Sequence, residues 1–196
     1  MTGSRYDADE IADPYSYRGT ACLKNKLGLR DADTLQAFEL EMSTVRADEP
    51  LPAGRFGPTH YCKIHRHLFQ DVYRWAGSYR TIATSKGGNL FCRPQFIERE
   101  MVRLFGKLGS AAFLLGSDRD AFIRSVAEFL SDLNAIHPFR EGNGRSQLAF
   151  LHLLALRAGH PLEIERIKPA AFLAAMIRSF DGNIEPLAEQ LTALLV

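Results

Sequence analysis

The chain has 196 residues, 46% hydrophobic and 24% charged, with 24 Lys and Arg against 23 Asp and Glu. This length and composition suit one globular domain that buries roughly 70% of its unfolded surface without disulfides or metals as staples. A net charge of +1 excludes the broad basic face of a nucleic-acid binder, and no run of about 18 apolar residues is present to span a membrane, so neither partner is expected.

Residues 1 to about 20 are polar and rich in Asp and Tyr. They are expected to form an extended arm laid over the core through Tyr15 and Tyr17, with residues 21–196 as the folded domain. Met1 to Asp7 contain no apolar h-region, so no secretory signal is read there. A cytoplasmic protein fits, and so does one injected by a specialised secretion system. Cys22, Cys62 and Cys92 are widely spaced with no C-x-x-C pair, which fits neither a zinc ribbon nor a disulfide framework and suits a reducing compartment.

Cys22 onward predicts a short helix ended by Gly28. Asp31 to about Val45 predicts a helix with an imperfect apolar side of Leu35, Phe38, Leu40 and Met42. Pro and Gly mark a loop over 48–54. Thr59 is read as the cap of a helix running to about Trp75, with Tyr61, Ile64, Leu68, Val72 and Trp75 near one stripe. That helix carries His60, His65 and His67. Histidines two apart do not share a helix face, so packing rather than metal binding is expected of them.

Gly77-Ser78 breaks this helix. Tyr79 to Ser85 and Leu90 to Cys92, joined by Lys86-Gly87-Gly88-Asn89, read as a β-hairpin. Its exposed edge offers N–H and C=O groups to any extended segment. Pro94 opens a helix to about Leu108, stopped by Gly109. Ser117-Asp118-Arg119-Asp120 starts a long helix, with Phe122, Val126, Phe129, Leu130 and Leu133 inward, that ends just before His137.

The next stretch, His137-Pro138-Phe139-Arg140-Glu141-Gly142-Asn143-Gly144-Arg145, is a polar loop between two apolar helices, a rigid setting for chemistry. His137 suits a general base. Glu141 is a hard oxygen ligand for Mg²⁺. Gly142 and Gly144 admit close backbone approach, and Asn143 is read as the N-cap of the following helix. The amides of that helix start favour an anion, and Arg145 can grip phosphate oxygens with a planar fork. Base, metal ligand, amide cradle and guanidinium together describe phosphoryl or nucleotidyl transfer. Phe139 is assigned to the core beneath the loop. The helix continues to Ala158 and stops at Gly159-His160-Pro161. Pro169 begins another helix through about Phe180, and Pro186 opens a terminal amphipathic helix to about Leu195.

The run from His137 to Arg145 resembles the signature of the Fic ("filamentation induced by cAMP") family at every position. The resemblance implies a mainly α, Fic-type helical bundle with one short β-hairpin flap. It implies an enzyme that moves AMP from ATP onto a Ser, Thr or Tyr hydroxyl of a target protein. His137 would be the catalytic base and Glu141 the Mg²⁺ ligand. Gly142, Asn143, Gly144, Arg145, Gln147, Lys86 and Gly87 would bind nucleotide. Lys86, Gly87, Gly88, Asn89 and Leu90 would form a flap that clamps the target's backbone by strand addition. One departure stands out: the family pattern has a second Arg three residues after the first, where this chain has Leu148. It either extends the apolar stripe of Leu151 and Leu154 or weakens the grip on the γ-phosphate.

Fic enzymes of this kind are often silenced by a helix bearing Ser/Thr-x-x-x-Glu followed by Gly or Asn. That motif is absent here, since Ser179 to Asn183 has the right length but ends in Asn. Inhibition is therefore expected from a separate small antitoxin-like protein. Three readings remain open: an adenylyltransferase of toxin or effector type, a Fic-type enzyme using another nucleotide or phosphate donor, and a catalytically weak module that binds partners through the hairpin.

Overall fold

The structure, a computed structural model, describes residues 13–86 and 88–196. Residues 1–12 of the expected arm, and Gly87, lie outside the described residues. The rest of that arm is tied to the body. Ser16 forms a β-bridge with Leu23, Tyr15 packs edge-on against Trp75 with centroids 5.5 Å apart, and Asp13 pairs with the buried Arg140 at 2.8 Å.

Seven α-helices are formed by the described residues: α1 (Ala32–Ala47), α2 (Pro58–Phe69), α3 (Pro94–Ser110), α4 (Arg119–Ile136), α5 (Asn143–Ala158), α6 (Pro169–Phe180) and α7 (Glu185–Thr192). None is long and apolar enough to cross a membrane. Helix α4 runs through the middle, packed on α3, α5, α6 and α7, while α2 packs on α1 and α5. The aromatic residues fill the space between them. Phe150 meets Tyr61, Phe105 and Phe129 with centroids 5.3 to 5.7 Å apart, and Phe139 stacks on Tyr61 at 5.4 Å. Such pairs each add about 0.5–1.5 kcal/mol beyond simple burial.

Local chemistry sets most boundaries. Asp31 caps α1 by accepting from Thr34 N–H at 2.7 Å, and Asp118 caps α4 through Ala121 N–H at 2.8 Å. Pro stands in the first turn of α2, α3, α6 and α7, where its missing N–H costs nothing.

Several expectations need correction. No helix forms over Cys22 to Gly28, because the Asn25 side chain takes the local backbone for itself. Its Nδ2 donates to Leu23 O and Leu29 O, and its Oδ1 accepts from Leu29 N–H. Helix α2 is capped by Gly57 with Thr59 inside it, and it stops at Phe69 rather than Trp75. Lys26 captures the next carbonyls, its Nζ bonding Gln70 O and its N–H bonding Val72 O. Helix α3 passes Gly109 and ends at Ser110, and α7 ends at Thr192, with Leu195 bridged to Leu162 instead.

Helix α1 presents Leu35, Glu39 and Ser43 inward, leaving Leu40 59% exposed. The polar pair faces partners on other elements, described below. The hairpin is shorter than expected: β1 (Ser85–Lys86) pairs antiparallel with β2 (Asn89–Leu90), with Ser85 opposite Leu90 and Lys86 opposite Asn89. Residues Tyr79 to Thr84 form a bend at Thr81 and Ile82 within irregular backbone rather than strand, with Thr81 N–H donating to the Tyr15 hydroxyl and Ile82 O accepting from the Arg80 side chain.

Candidate active site

Helix α4 ends at His137, which adopts the left-handed conformation (φ 48°, ψ 63°). Helix α5 begins after Gly142, also left-handed at φ 81°. The turn between them is buried from Ile136 through Asn143, so its backbone groups need partners other than water. Asn143 supplies two. Its Oδ1 accepts from Phe139 N–H at 3.0 Å and its Nδ2 donates to Phe139 O at 2.8 Å. The expected N-cap role is therefore incorrect: Asn143 is the first helical residue, Gly142 is the cap, and the amide side chain closes the loop on itself. Glu141 turns its carboxylate back to Gly142 N–H at 2.9 Å.

His65, fully buried on α2, supplies another partner. Its Nδ1 accepts from Gly77 N–H at 2.8 Å. The neutral ring therefore carries its proton on Nε2, which donates to Glu141 O at 3.0 Å. The ring stacks on Phe139 at 3.7 Å between centroids. Burial pushes the His65 pKa down to about 3, against a favourable bond to the Glu141 backbone. His60 and His67 likewise bond carbonyls, those of Pro52 and Arg46. Nothing in the sequence distinguished His65 from its two neighbours.

His137 lies with its ring flat on Phe91, centroids 3.9 Å apart and planes 8° apart. Burial first, then the charges of Arg80 and Lys86, bring its pKa down to about 3 against the opposing bond to the Asn134 backbone. The imidazole is thus neutral at physiological pH, one nitrogen protonated and the other able to accept. Phe91, just after β2, stacks on this ring, and the charge of Lys86 on β1 acts on it. Lys86, Gly88 and Leu90 are exposed, and Asn89 is half-buried.

Arg145 is held from α1. Its Nη1 donates to Ser43 Oγ at 2.7 Å, and its Nη2 forms an ion pair with Glu39 Oε1. Glu39 also accepts from the Tyr73 hydroxyl. The guanidinium lies over the Phe69 ring at 4.6 Å and 3.8 Å from Glu141 Oε1. Its Nε–H bonds no described residue, leaving that donor for an anion. The sequence analysis missed Glu39, whose only local sign is a carboxylate at helical spacing from Leu35 and Ser43.

The two loop glycines differ. A Cβ on Gly142 would sit 2.3 Å from Phe69 Cζ, whereas one on Gly144 would meet nothing within 4 Å. Open space therefore lies over the start of α5, where the amides of residues 143–145 have no acceptor in the helical ladder. That is room for an anion at a helix N-terminus. Gln147 is 4% exposed, and its Nε2 has no partner among the described residues. Leu148 is half-buried and lines a cleft of about 400 Å³ with Arg145, Leu40, Leu68 and Ile164. It thus stands beside Arg145 rather than in the sealed stripe of Leu151 and Leu154.

Residues 55–155 match the model of the Fic/DOC family. A probable protein adenylyltransferase of Sinorhizobium fredii is 47% identical over 97% of this chain and 99% of its own length. The probable protein adenylyltransferase Fic of Escherichia coli is 35% identical over 91% of this chain and 90% of its own. In three dimensions the chain is similar to the BepC effector of Bartonella tribocorum with bound AMPPNP, with a TM-score of 0.84 and 27% identity, covering 93% and 96% of the two chains.

Two predictions follow from this geometry. Gly142→Ala is expected to destabilise the fold through the Phe69 clash and its positive φ, lowering the urea midpoint. Gly144→Ala should hold or raise that midpoint, by up to about 1 kcal/mol of helix propensity, yet weaken nucleotide binding in a calorimetric titration. The second concerns acid. His65 and His137 are neutral in the fold but regain the ordinary pKa of 6.5 when unfolded. Unfolding therefore takes up two protons as pH falls from 6.5 towards 3. The folding equilibrium should drop by about tenfold per pH unit for each histidine, and His137→Ala should halve the logarithmic slope of urea-derived stability between pH 6 and 5.

Proposed function

The chain belongs to the Fic/DOC family, and on that premise we propose that it is a protein adenylyltransferase, moving AMP from ATP to a Ser, Thr or Tyr hydroxyl of a target protein. The observation that supports it most is the meeting of three parts: a neutral His137, an open helix start over Gly144 one loop away, and a hairpin whose foot stacks Phe91 on the His137 ring. No single part would distinguish transfer from simple binding.

Nucleotide phosphates occupy the amides of Gly144 and Arg145, with Arg145 Nε–H on the leaving end. Asn143 contributes by keeping the loop closed, since both of its side-chain polar atoms are spent on Phe139. Gln147 Nε2 is a further donor close to the start of α5, and Lys86 and Gly87 complete the proposed nucleotide contacts. The target segment pairs with the hairpin edge at Lys86 to Leu90 and presents its hydroxyl to His137. The hydroxyl oxygen forms a bond to the α-phosphorus, the bond from that phosphorus to the bridging oxygen breaks, and pyrophosphate leaves. His137 takes the hydroxyl proton. Polyphosphate charge near the ring favours the imidazolium, as does its position at the C-terminal end of α4, so the low proton affinity of the empty site rises when substrate is bound.

Mg²⁺ fits as a metal that arrives with the nucleotide. No cluster of three or more His, Cys, Asp or Glu able to hold a metal occurs among the described residues, and Mg²⁺ commonly takes one carboxylate with substrate phosphates and water. Glu141 is the carboxylate at this site. The ion would supply charge neutralisation at the phosphate oxygens.

A different donor is the second reading, and Leu148 favours it. The cleft next to Arg145 is mostly apolar, with no second guanidinium for a γ-phosphate. Control by a separate antitoxin-like protein, and a role as toxin or effector acting in the bacterial cytoplasm or after translocation into another cell, complete the proposal.

His137→Ala should lower transfer of labelled AMP to lysate proteins by about 10²–10⁴-fold while the melting curve stays cooperative; full labelling would remove His137 from its role. Leu148→Arg should raise AMP transfer from ATP, and unchanged or lower transfer would count against a phosphate site at that position.

A further inference from the structure

A hairpin with two residues per strand does not set its own orientation, because an isolated pair of such strands is unstable in water. Its pose over His137 is imposed from below. Arg80, 2% exposed, lies under both feet of the hairpin. Its Nη1 donates to Ile82 O at 2.6 Å, before β1, and its Nη2 to Cys92 O at 2.5 Å, after β2. The same side chain reaches the other side of the site, with Nη2 to Ile136 O at 3.2 Å and Nε to His137 O at 2.8 Å. Its backbone N–H donates to Pro138 O at 2.8 Å. A planar fork of five donors spans these carbonyls at once, which the single ammonium of Lys cannot do. One other bond joins hairpin to helix, from Cys92 N–H to Ala135 O at 3.0 Å.

We propose that Arg80 is the positioning residue for the target: it locks the hairpin to the C-terminus of α4, so that a hydroxyl held on the hairpin edge arrives at His137. This rests on the adenylyltransferase reading above. The hydrogen bonds of Arg80 to Ile82, Cys92, Ile136, His137 and Pro138 lie at the hairpin and the end of α4 rather than at the start of α5. Its loss therefore misplaces the target and spares the nucleotide.

The test uses the full chain and Arg80→Lys, with lysate proteins as acceptors and labelled ATP as donor. The expected result is transfer reduced by about 10²-fold, the cost of an ångström-scale misplacement, with KM for ATP within about twofold of wild type. Amide exchange should quicken by at least about tenfold at Phe91 and Cys92, with α1 and α7 unchanged. Normal transfer, a rise in KM that accounts for the loss, or unaltered exchange in the hairpin would overturn the proposal. Should Arg80→Lys fail to fold, the wild-type chain decides by NMR. The Arg80 Nε–H and the Phe91 and Cys92 amides should exchange together, as one opening unit; hairpin amides exchanging over tenfold faster would refute the lock. Wild-type protein that transfers nothing from any nucleotide counts against the adenylyltransferase reading, and the exchange data still judge the lock separately.

Discussion

The site depends on one constraint: a buried turn with no regular ladder must have every backbone polar group bonded by something. Between α4 and α5 most partners are side chains, some of the loop itself and some from distant elements. Arg80 takes the carbonyls of Ile136 and His137, Asn143 takes both polar groups of Phe139, and His65 takes the carbonyl of Glu141. A buried carbonyl left without a donor costs about 1–3 kcal/mol. Losing Asn143 or His65 therefore threatens the shape of the turn from Phe139 to Asn143 well before it threatens the whole fold, whereas Arg80 ties only its first residues to the feet of the hairpin. Functional groups and scaffolding groups are interleaved, so that Phe139 beneath the loop and His137 above it are fixed by the same bonds.

The electrostatics follow from the same burial. Two histidines are kept neutral by desolvation, one beneath the loop and one, the proposed base, above it. His65 is locked in a single tautomer by a donor on one side and an acceptor on the other. His137 keeps an accepting nitrogen while cations on the hairpin side, Arg80 and Lys86, discourage its protonation. On the proposed reading, an anionic ligand would reverse the sign of its surroundings. Arg145 is balanced differently, tied to Glu39 and Ser43 on α1 and seated on Phe69. That hold orients its fork and also gives an incoming phosphate a carboxylate to compete with.

Much of this was legible in the chain. The contiguous loop, the helices with strong apolar periodicity and the Pro-led starts are local features, and α4, α5 and α6 lie where periodicity and breakers place them. What escaped was long-range. His65 and Glu141 are 76 residues apart, Arg80 and His137 are 57, and Arg145 and Glu39 are 106. No periodicity encodes such pairs, and a buried Glu or Arg looks like any solvated charge until its partner is seen. Asn143 shows the subtler failure. Its residue type suits a cap, but Gly142 in the left-handed region had already provided the turn, freeing the amide for the loop.

His137 occupies the left-handed C-cap of α4, a place where glycine is at ease and a side chain with a Cβ costs on the order of 1 kcal/mol. Selection for stability alone would put glycine there, relieving the backbone and removing a buried imidazole at one stroke. The histidine is therefore a standing local conflict, tolerated because the backbone twist that disfavours it also turns its ring out of the helix and onto Phe91. If His137 is the base proposed above, drift towards a more stable but inert protein is a single substitution away. A hyperstable relative with glycine at this position would be the mark of a lineage that kept the fold and gave up the chemistry.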